Sequence, residues 1–387
     1  MDKKKNRAHK EMMHMTWNYI QPVNIKFGNG ALSELPQVIA GTGGKRGILI
    51  TSASQITNGT AQRIQELAGG KIKAFYSGVR PNPDIQECQK AVTLIQADDV
   101  DFVIAAGGGS TLDTAKAAAV FSQGDQSAEF YYHNPERIPK KKIPLIAVPA
   151  TAGTGSEVTS VSVLSDRAEE TKKSIGKPQF YPDYALVDPE LTWTVPEHVT
   201  LSTGMDVFCH ALEGFWSIHH QPVCDLYAVR ALKLVLEYLP RLQADLHDHE
   251  AREKLSEASL LAGLAFALPK TTAPHACSFP LTMRLGIPHG EACALTIPEF
   301  LLLNASADKA GRIQGLIHEL GMNSPEELAE HIREFQRKSG LCSGLRSYRL
   351  SDSDIHNLAA ESMLPNIYNN PVPVGAEDVE KILRKLS

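Results

Sequence analysis

A chain of 387 residues exceeds what one hydrophobic core usually organises, so two domains sharing a cleft are expected. The composition, 43% hydrophobic and 21% charged with a formal net charge of -5, is that of a globular protein and offers no general attraction to nucleic acid. Six widely spaced cysteines without a CxxC pair argue against a disulfide framework or a zinc ribbon, and no long apolar run marks a membrane span, so a cytoplasmic protein with reduced thiols is expected.

The start, MDKKKNRAHKEMMHM, is basic and no apolar run follows it, so residues 1–15 read as a flexible leader outside the fold. The run GILIT has the pattern of a short buried strand, and TNGTAQRIQELAGG after it has helical spacing closed by glycines. The alternation continues with KAFYSG, a helix across Ile85–Ala97, the apolar run DFVIAAGGGS, a helix from Leu112 to Phe121 and the strand PLIAVPAT. Strands alternating with helices imply a parallel sheet covered by helices, a Rossmann-like α/β domain over residues 16–195. Past Pro196 the texture changes. CDLYAVRALKLVLEYLPRL and REKLSEASLLAGLAFAL carry apolar residues at three- and four-residue spacing, so residues 196–387 read as an all-α domain.

Two loops have the chemistry of phosphate cradles. The strand DFVIAA runs into Gly107, Gly108, Gly109 and Ser110 and then a helix, which collects bare backbone N–H groups and a positive helix end at one place. The spacing is not GxGxxG, so the usual dinucleotide fingerprint does not apply. A second loop, Pro149 to Glu157, again ends a strand in small and hydroxyl residues, and two such loops on neighbouring strands would face one crevice. In the helical half, Asp206 and His210 stand four apart on a predicted helix and so share a face. His275 and His289 add two imidazoles from a separate segment. One carboxylate and three imidazoles suit a first-row divalent cation.

With these motifs in place, the sequence resembles the iron-containing (group III) alcohol dehydrogenase family. The likeness rests on GGGSTLDTAK (107–116), PATAGTGSEVT (149–159), VDPEL (187–191), GMDVFCHALE (204–213) and PHG (288–290), and runs from Asn24 to the C-terminus. The resemblance implies a nucleotide-binding α/β domain followed by a helical metal domain, with the active site between them, in an architecture shared with dehydroquinate synthase. It implies that Asp206, His210, His275 and His289 hold one divalent metal, Fe2+ first and Zn2+ as the alternative. Gly107, Gly108, Gly109, Ser110 and Asp113 match the family's diphosphate loop, and Thr151, Thr154 and Ser156 its second cofactor loop. Asn82 and Lys173 match positions near the nucleotide. The implied reaction is hydride transfer between NAD or NADP and a small aldehyde or primary alcohol, in a homodimer or higher homo-oligomer.

Two departures bear on specificity. The family's second histidine, four residues after the third ligand, is Phe279 here, so that position lines the substrate pocket without relaying a proton. Where NAD-preferring relatives carry an aspartate, this chain has Ser52, which removes a carboxylate that would repel a 2′-phosphate and makes NADP acceptable. The stretch from Phe279 to Gly286 also resembles phosphonoacetaldehyde reductases of the family. Arg284 within it has two readings, as a substrate-anion partner or as an exposed surface arginine, and the second is favoured. The rival functions are a glycerol-phosphate dehydrogenase or dehydroquinate-synthase-like enzyme, and a non-catalytic nucleotide-binding protein.

Overall fold

The computed structural model describes residues 16–387, so the leader expected over residues 1–15 lies outside the described residues. The N-terminal half builds a six-stranded sheet in the order β1-β8-β5-β4-β2-β3, all neighbours parallel. Its strands are β1 (Asn24–Phe27), β2 (Gly47–Thr51), β3 (Ile72–Tyr76), β4 (Phe102–Gly107), β5 (Leu145–Pro149) and β8 (Tyr184–Val187). The remaining two, β6 (Val161–Asp166) and β7 (Thr171–Gly176), form a separate antiparallel hairpin. Helices of this half are α1 (Leu35–Thr42), α2 (Ala53–Thr57), α3 (Thr60–Leu67), α4 (Ile85–Ala97), α5 (Gly109–Phe121) and α6 (Ala128–His133).

GILIT, FVIAAG and LIAVP are buried at every residue because β2, β4 and β5 are central strands covered on both faces. Alternation along each strand then divides their side chains. Ile48, Ile50, Val103, Ala105 and Leu145 pack with α4 and α5, whereas Leu49, Ile104, Ala106, Ile146 and Val148 pack with α1 and α3.

From Glu197 onward the described residues contain no strand. The helices are α7 (Glu197–Trp216), α8 (Pro222–Ala244), α9 (His249–Phe266), α10 (Ala273–Leu285), α11 (His289–Ala307), α12 (Arg312–Glu319), α13 (Pro325–Lys338), α14 (Asp352–Glu361) and α15 (Ala376–Leu386), around one continuous apolar core. No helix among the described residues is long and apolar enough to cross a membrane.

The halves meet where the loop after β5 lies on α9. Gly155 has φ +57°, and a Cβ there would sit 2.5 Å from the Gly263 Cα. A Cβ on Gly263 would come within 2.7 Å of Val158 Cγ2 and 2.9 Å of the Gly155 Cα. Gly153 N–H donates to Ser259 Oγ at 2.7 Å, fixing the same loop to the same helix. In an open helix Gly→Ala adds roughly 1 kcal/mol of stability. At this junction Gly263→Ala is expected to destabilise instead, by about 1–3 kcal/mol, because the methyl has no space. Chemical denaturation midpoints check the sign, and a variant as stable as the parent would contradict the packing described.

Candidate active site in the interdomain cleft

Helix α7 carries Asp206, His210 and Glu213 at spacings of four and three, so all three leave one face. His275 enters from the first turn of α10, behind Pro274, and His289 opens α11 behind Pro288. The glycine of the PHG triplet has a steric reason. A Cβ on Gly290 would stand 2.1 Å from the Ser202 carbonyl oxygen and 3.1 Å from Asp206 Cβ, so only glycine lets α11 come this close to α7.

The four expected metal-binding side chains converge. His210 Nε2 and His275 Nε2 are 3.0 Å apart, and Asp206 Oδ1 lies 3.5 Å from His275 Nε2 and 4.0 Å from His289 Nε2. Asp206, His210 and His275 are 5% exposed or less, and Asp206 Oδ1 has no hydrogen-bond partner among the described residues. A buried carboxylate oxygen without a donor is costly unless a cation satisfies it. The facing imidazole nitrogens provide the rest of a first-row metal's preferred donor set, so these residues fit the ion.

A further layer sets which nitrogen is offered. His275 Nδ1 hydrogen-bonds Glu213 Oε1, and the other oxygen of this fully buried carboxylate accepts from the Thr272 backbone at 2.6 Å and its hydroxyl at 2.9 Å. Ser278 Oγ donates to the His275 carbonyl at 2.7 Å and therefore accepts from His289 Nδ1–H at 3.2 Å. Both bonds leave Nε2 for the ion. His210 stacks on Phe266 with ring centres 4.2 Å apart.

The electrostatics agree with a cation site. Burial pushes Asp206 up, but His210, His289 and His275 outweigh it and hold the carboxyl below the usual carboxylate range. Burial lowers His210 to about 4 and His289 to about 3, with Asp206 opposing in each case, so both rings are neutral donors at neutral pH. Burial also works to lower His275, but Cys293, Glu213 and Asp206 overcome it and raise the imidazole. His275 is thus the most basic donor of the set.

The cofactor loops are neighbours, as their strands are. Gly107 pairs with Pro149 across β4 and β5, and Ala150 N–H donates to the Gly107 carbonyl at 2.9 Å. Helix α5 begins at Gly109 with no side chain capping its first N–H groups. Gly109 is required by the other loop, since its Cβ would lie 2.5 Å from Thr154 Cγ2; Thr151 stands 3.3 Å from a Cβ on Gly108. Asp113 and Ser156 bond each other at 2.6 Å, and Asp113 also accepts from Val163 N–H at 2.9 Å. The buried Lys116 completes this knot, with Nζ donating to Ser156 Oγ at 2.6 Å and Thr159 Oγ1 at 3.0 Å. Asp113 and Ser156 therefore tie the crevice together. Ser52 follows β2 at the N-cap position of α2, is partly exposed, and its hydroxyl bonds Ser54 Oγ at 3.0 Å rather than capping the helix.

Lys173 and its neighbour on β7 face opposite ways. Lys173, expected beside the nucleotide, is exposed, with Nζ over the Tyr132 ring at 4.6 Å on the far side of β7. Strand alternation sends its neighbour inward: Lys172 Nζ donates to Asn82 Oδ1 at 2.9 Å and lies 5.2 Å from the centre of the Phe279 ring. Phe279 itself is half-buried, 6.1 Å from the His289 ring. Arg284 is more than half exposed and bonded to Glu361 and Glu170, as a surface arginine.

Glu213, Ser278 and Lys172 were missed in the sequence. Glu213 had a signal, three residues after His210 on the same helix face. Glu213→Gln keeps the shape but removes the charge behind His275, and is expected to weaken metal binding roughly 10–100-fold. Competition with a chelator measures this, and unchanged affinity would mean that the Glu213–His275 bond does not tune the ligand.

Comparison with known proteins agrees with this geometry. Residues 22–189 match the family model for iron-containing alcohol dehydrogenase, and residues 200–387 that for the C-terminal part of the Fe-containing alcohol dehydrogenase family. Long-chain-alcohol dehydrogenase 1 of Geobacillus thermodenitrificans is 32% identical over 370 residues, covering 92% of this chain and 93% of that protein. Sulfoacetaldehyde reductase of Bilophila wadsworthia is 28% identical over 372 residues, covering 93% and 96%. Among solved structures, sulfoacetaldehyde reductase from Bifidobacterium kashiwanohense in complex with NAD+ superposes with a TM-score of 0.93 at 43% identity, over 96% of this chain and 99% of that one. The chain belongs to the iron-containing alcohol dehydrogenase family and is a metal-dependent, nicotinamide-linked oxidoreductase that interconverts alcohols and aldehydes.

Proposed function

We propose that this enzyme works as a reductase of a small aldehyde carrying an anionic group, with Asp206, His210, His275 and His289 holding the ion and Lys172 facing the substrate's charge. The single observation that carries the reading is Lys172. Its amine lies between Asn82 and the Phe279 ring on a half-buried residue, with no carboxylate bonded to it among the described residues. A buried ammonium is stable when a counter-charge accompanies it, and a bound anion supplies one. The likeness to sulfoacetaldehyde reductases supports the same class.

When bound, the metal supplies Lewis-acid polarisation of the carbonyl and the nicotinamide supplies the hydride. The chain's own residues do the rest. The N-terminus of α5 with Gly107, Gly108 and Ser110 takes the diphosphate, and Thr151 and Thr154 line its second side. Asn82 is held at φ +55° with its amide oxygen on Lys172, which ties the cofactor side of the crevice to the substrate side. Phe279 narrows the pocket beside His289 and keeps water away, and its ring moves no proton. Lys172 Nζ holds an exchangeable proton at the pocket wall. The exposed Trp17, Ile20 and Phe27, on and before the edge strand β1, support a homo-oligomer, and the free thiols of all six cysteines support a cytoplasmic setting.

Burial lowers the Lys172 amine to about 8, with Cys293, Asp113 and Asp206 pulling the other way. The cationic form prevails below that value. Binding of an anionic aldehyde is therefore expected to weaken as pH rises through about 8; a bound dication shifts the loss to lower pH. Lys172→Met should raise KM for sulfoacetaldehyde roughly 10–100-fold, the worth of one hydrogen bond to a charged group, and abolish that pH step. KM for propanal and for NADH should stay within about threefold, too small a change for a lost charge contact. Steady-state kinetics on both aldehydes decide. Equal rises in KM for both would reassign Lys172 to the cofactor and overturn the anionic-substrate reading.

A further inference from the structure

The face of α7 that carries the metal-binding residues continues past them. Asp206, His210, Glu213 and Trp216 stand at spacings of four, three and three, so all four leave one side of the helix. Trp216 is 2% exposed and packs in the helical core, which accounts for its ring but not for its polar atom. The indole Nε1–H donates to Thr272 Oγ1 at 2.8 Å. Such a partner is not automatic in this protein, because the indole N–H of Trp193, also closed to solvent, has none among the described residues. An indole can only donate, so the Thr272 hydroxyl accepts from Trp216 and gives its own hydrogen to Glu213 Oε2, 2.9 Å away. Glu213 in turn bonds His275 Nδ1. Next to Trp216, Ser217 Oγ donates to the Pro269 carbonyl at 2.6 Å, so the end of α7 grips the loop before α10 at two points.

We propose that Trp216 is a positioning residue for the metal centre, acting through Thr272 to hold Glu213 against His275 and so to set how tightly the ion is bound. The inference rests on the metal site proposed above. Thr272 and Glu213 are both fully buried, so no bulk water competes for the bonds between them. In such surroundings hydrogen bonds in a row strengthen one another. The indole N–H fixes which way the hydroxyl points, the hydroxyl fixes the carboxylate, and the carboxylate fixes the ring that offers Nε2. Without the indole N–H the Thr272 side chain is free to turn about χ1, and Glu213 Oε2 then loses one of the two donors that Thr272 supplies. The ion is left on an imidazole less firmly aimed and less basic.

Cobalt binding tests this without recourse to turnover. The full-length protein is stripped of metal, its Co2+ affinity is measured by chelator competition, and the visible cobalt spectrum is recorded at saturation. Trp216→Phe and Thr272→Val are each expected to lower the affinity roughly tenfold, the low end of what partners behind a metal ligand contribute, and to shift the cobalt bands. Thr272→Ser keeps the hydroxyl and should stay within about twofold of the parent. In the Glu213→Gln background, Trp216→Phe should cost no more than about twofold further, because the residues act in one chain. Far-ultraviolet circular dichroism on each metal-free variant reports the fold, and if Trp216→Phe does not fold, Thr272→Val against Thr272→Ser decides. A packing role predicts lost stability with affinity kept. Unchanged affinity in folded Trp216→Phe, an equal loss with and without Glu213→Gln, or Thr272→Ser failing as Thr272→Val does would overturn the positioning role alone. Failure of the folded parent to bind cobalt would overturn the metal site with it.

Discussion

A buried carboxylate that the protein itself does not satisfy governs this structure. Asp206 is 2% exposed, its Oδ1 has no donor among the described residues, and imidazoles occupy the space in front of it. Leaving such a charge uncompensated costs several kcal/mol, so the site demands a cation. Much of the surrounding architecture makes that demand geometrically consistent. Gly290 allows α11 to approach α7, and Glu213 and Ser278 orient two imidazoles through their Nδ1 atoms. The helical domain is in this sense a scaffold for one ion, with the PHG and GMDVFCHALE motifs as its two contact surfaces.

The α/β domain brings the cofactor to that ion through a second set of constraints. Its phosphate loop cannot be understood from α5 alone, because Gly109 is small on account of Thr154, and the Asp113–Ser156–Lys116 knot ties α5 to the loop after β5. That loop is held in turn against α9 by the Gly155–Gly263 contact. Cofactor crevice and helical domain are thus mechanically linked through a few close contacts between the two loops and α9. The β6–β7 hairpin then adds Lys172 at the wall of the pocket, opposite Phe279.

The parts legible in the sequence are those with strong local physics. Central strands buried on both faces read as unbroken apolar runs, and helix spacing alone placed Asp206 and His210 on one face. Residue chemistry offered His275 and His289 as further donors, the resemblance implied that the four form one set, and the structure brings all four side chains together. The β6–β7 hairpin escaped notice because SVSVLSD and TKKSIG are short and polar, and gain burial only where they meet α5. For the same reason Lys173 was named and Lys172 was not. In a strand a one-residue difference reverses the face, and nothing in two consecutive lysines says which turns inward. Gly109 was read as part of a phosphate cradle of bare backbone N–H groups, a role compatible with the packing against Thr154 that no local pattern discloses.

The central claim is that one divalent ion sits among Asp206, His210, His275 and His289. Anomalous diffraction above and below the metal edge, on crystals of the loaded protein, tests it most directly. The account predicts one peak at bonding distance from Asp206 Oδ1 and the Nε2 atoms of the three histidines. No anomalous peak there, or a peak instead at the separate His133, Asp166 and Glu169 cluster, would contradict it.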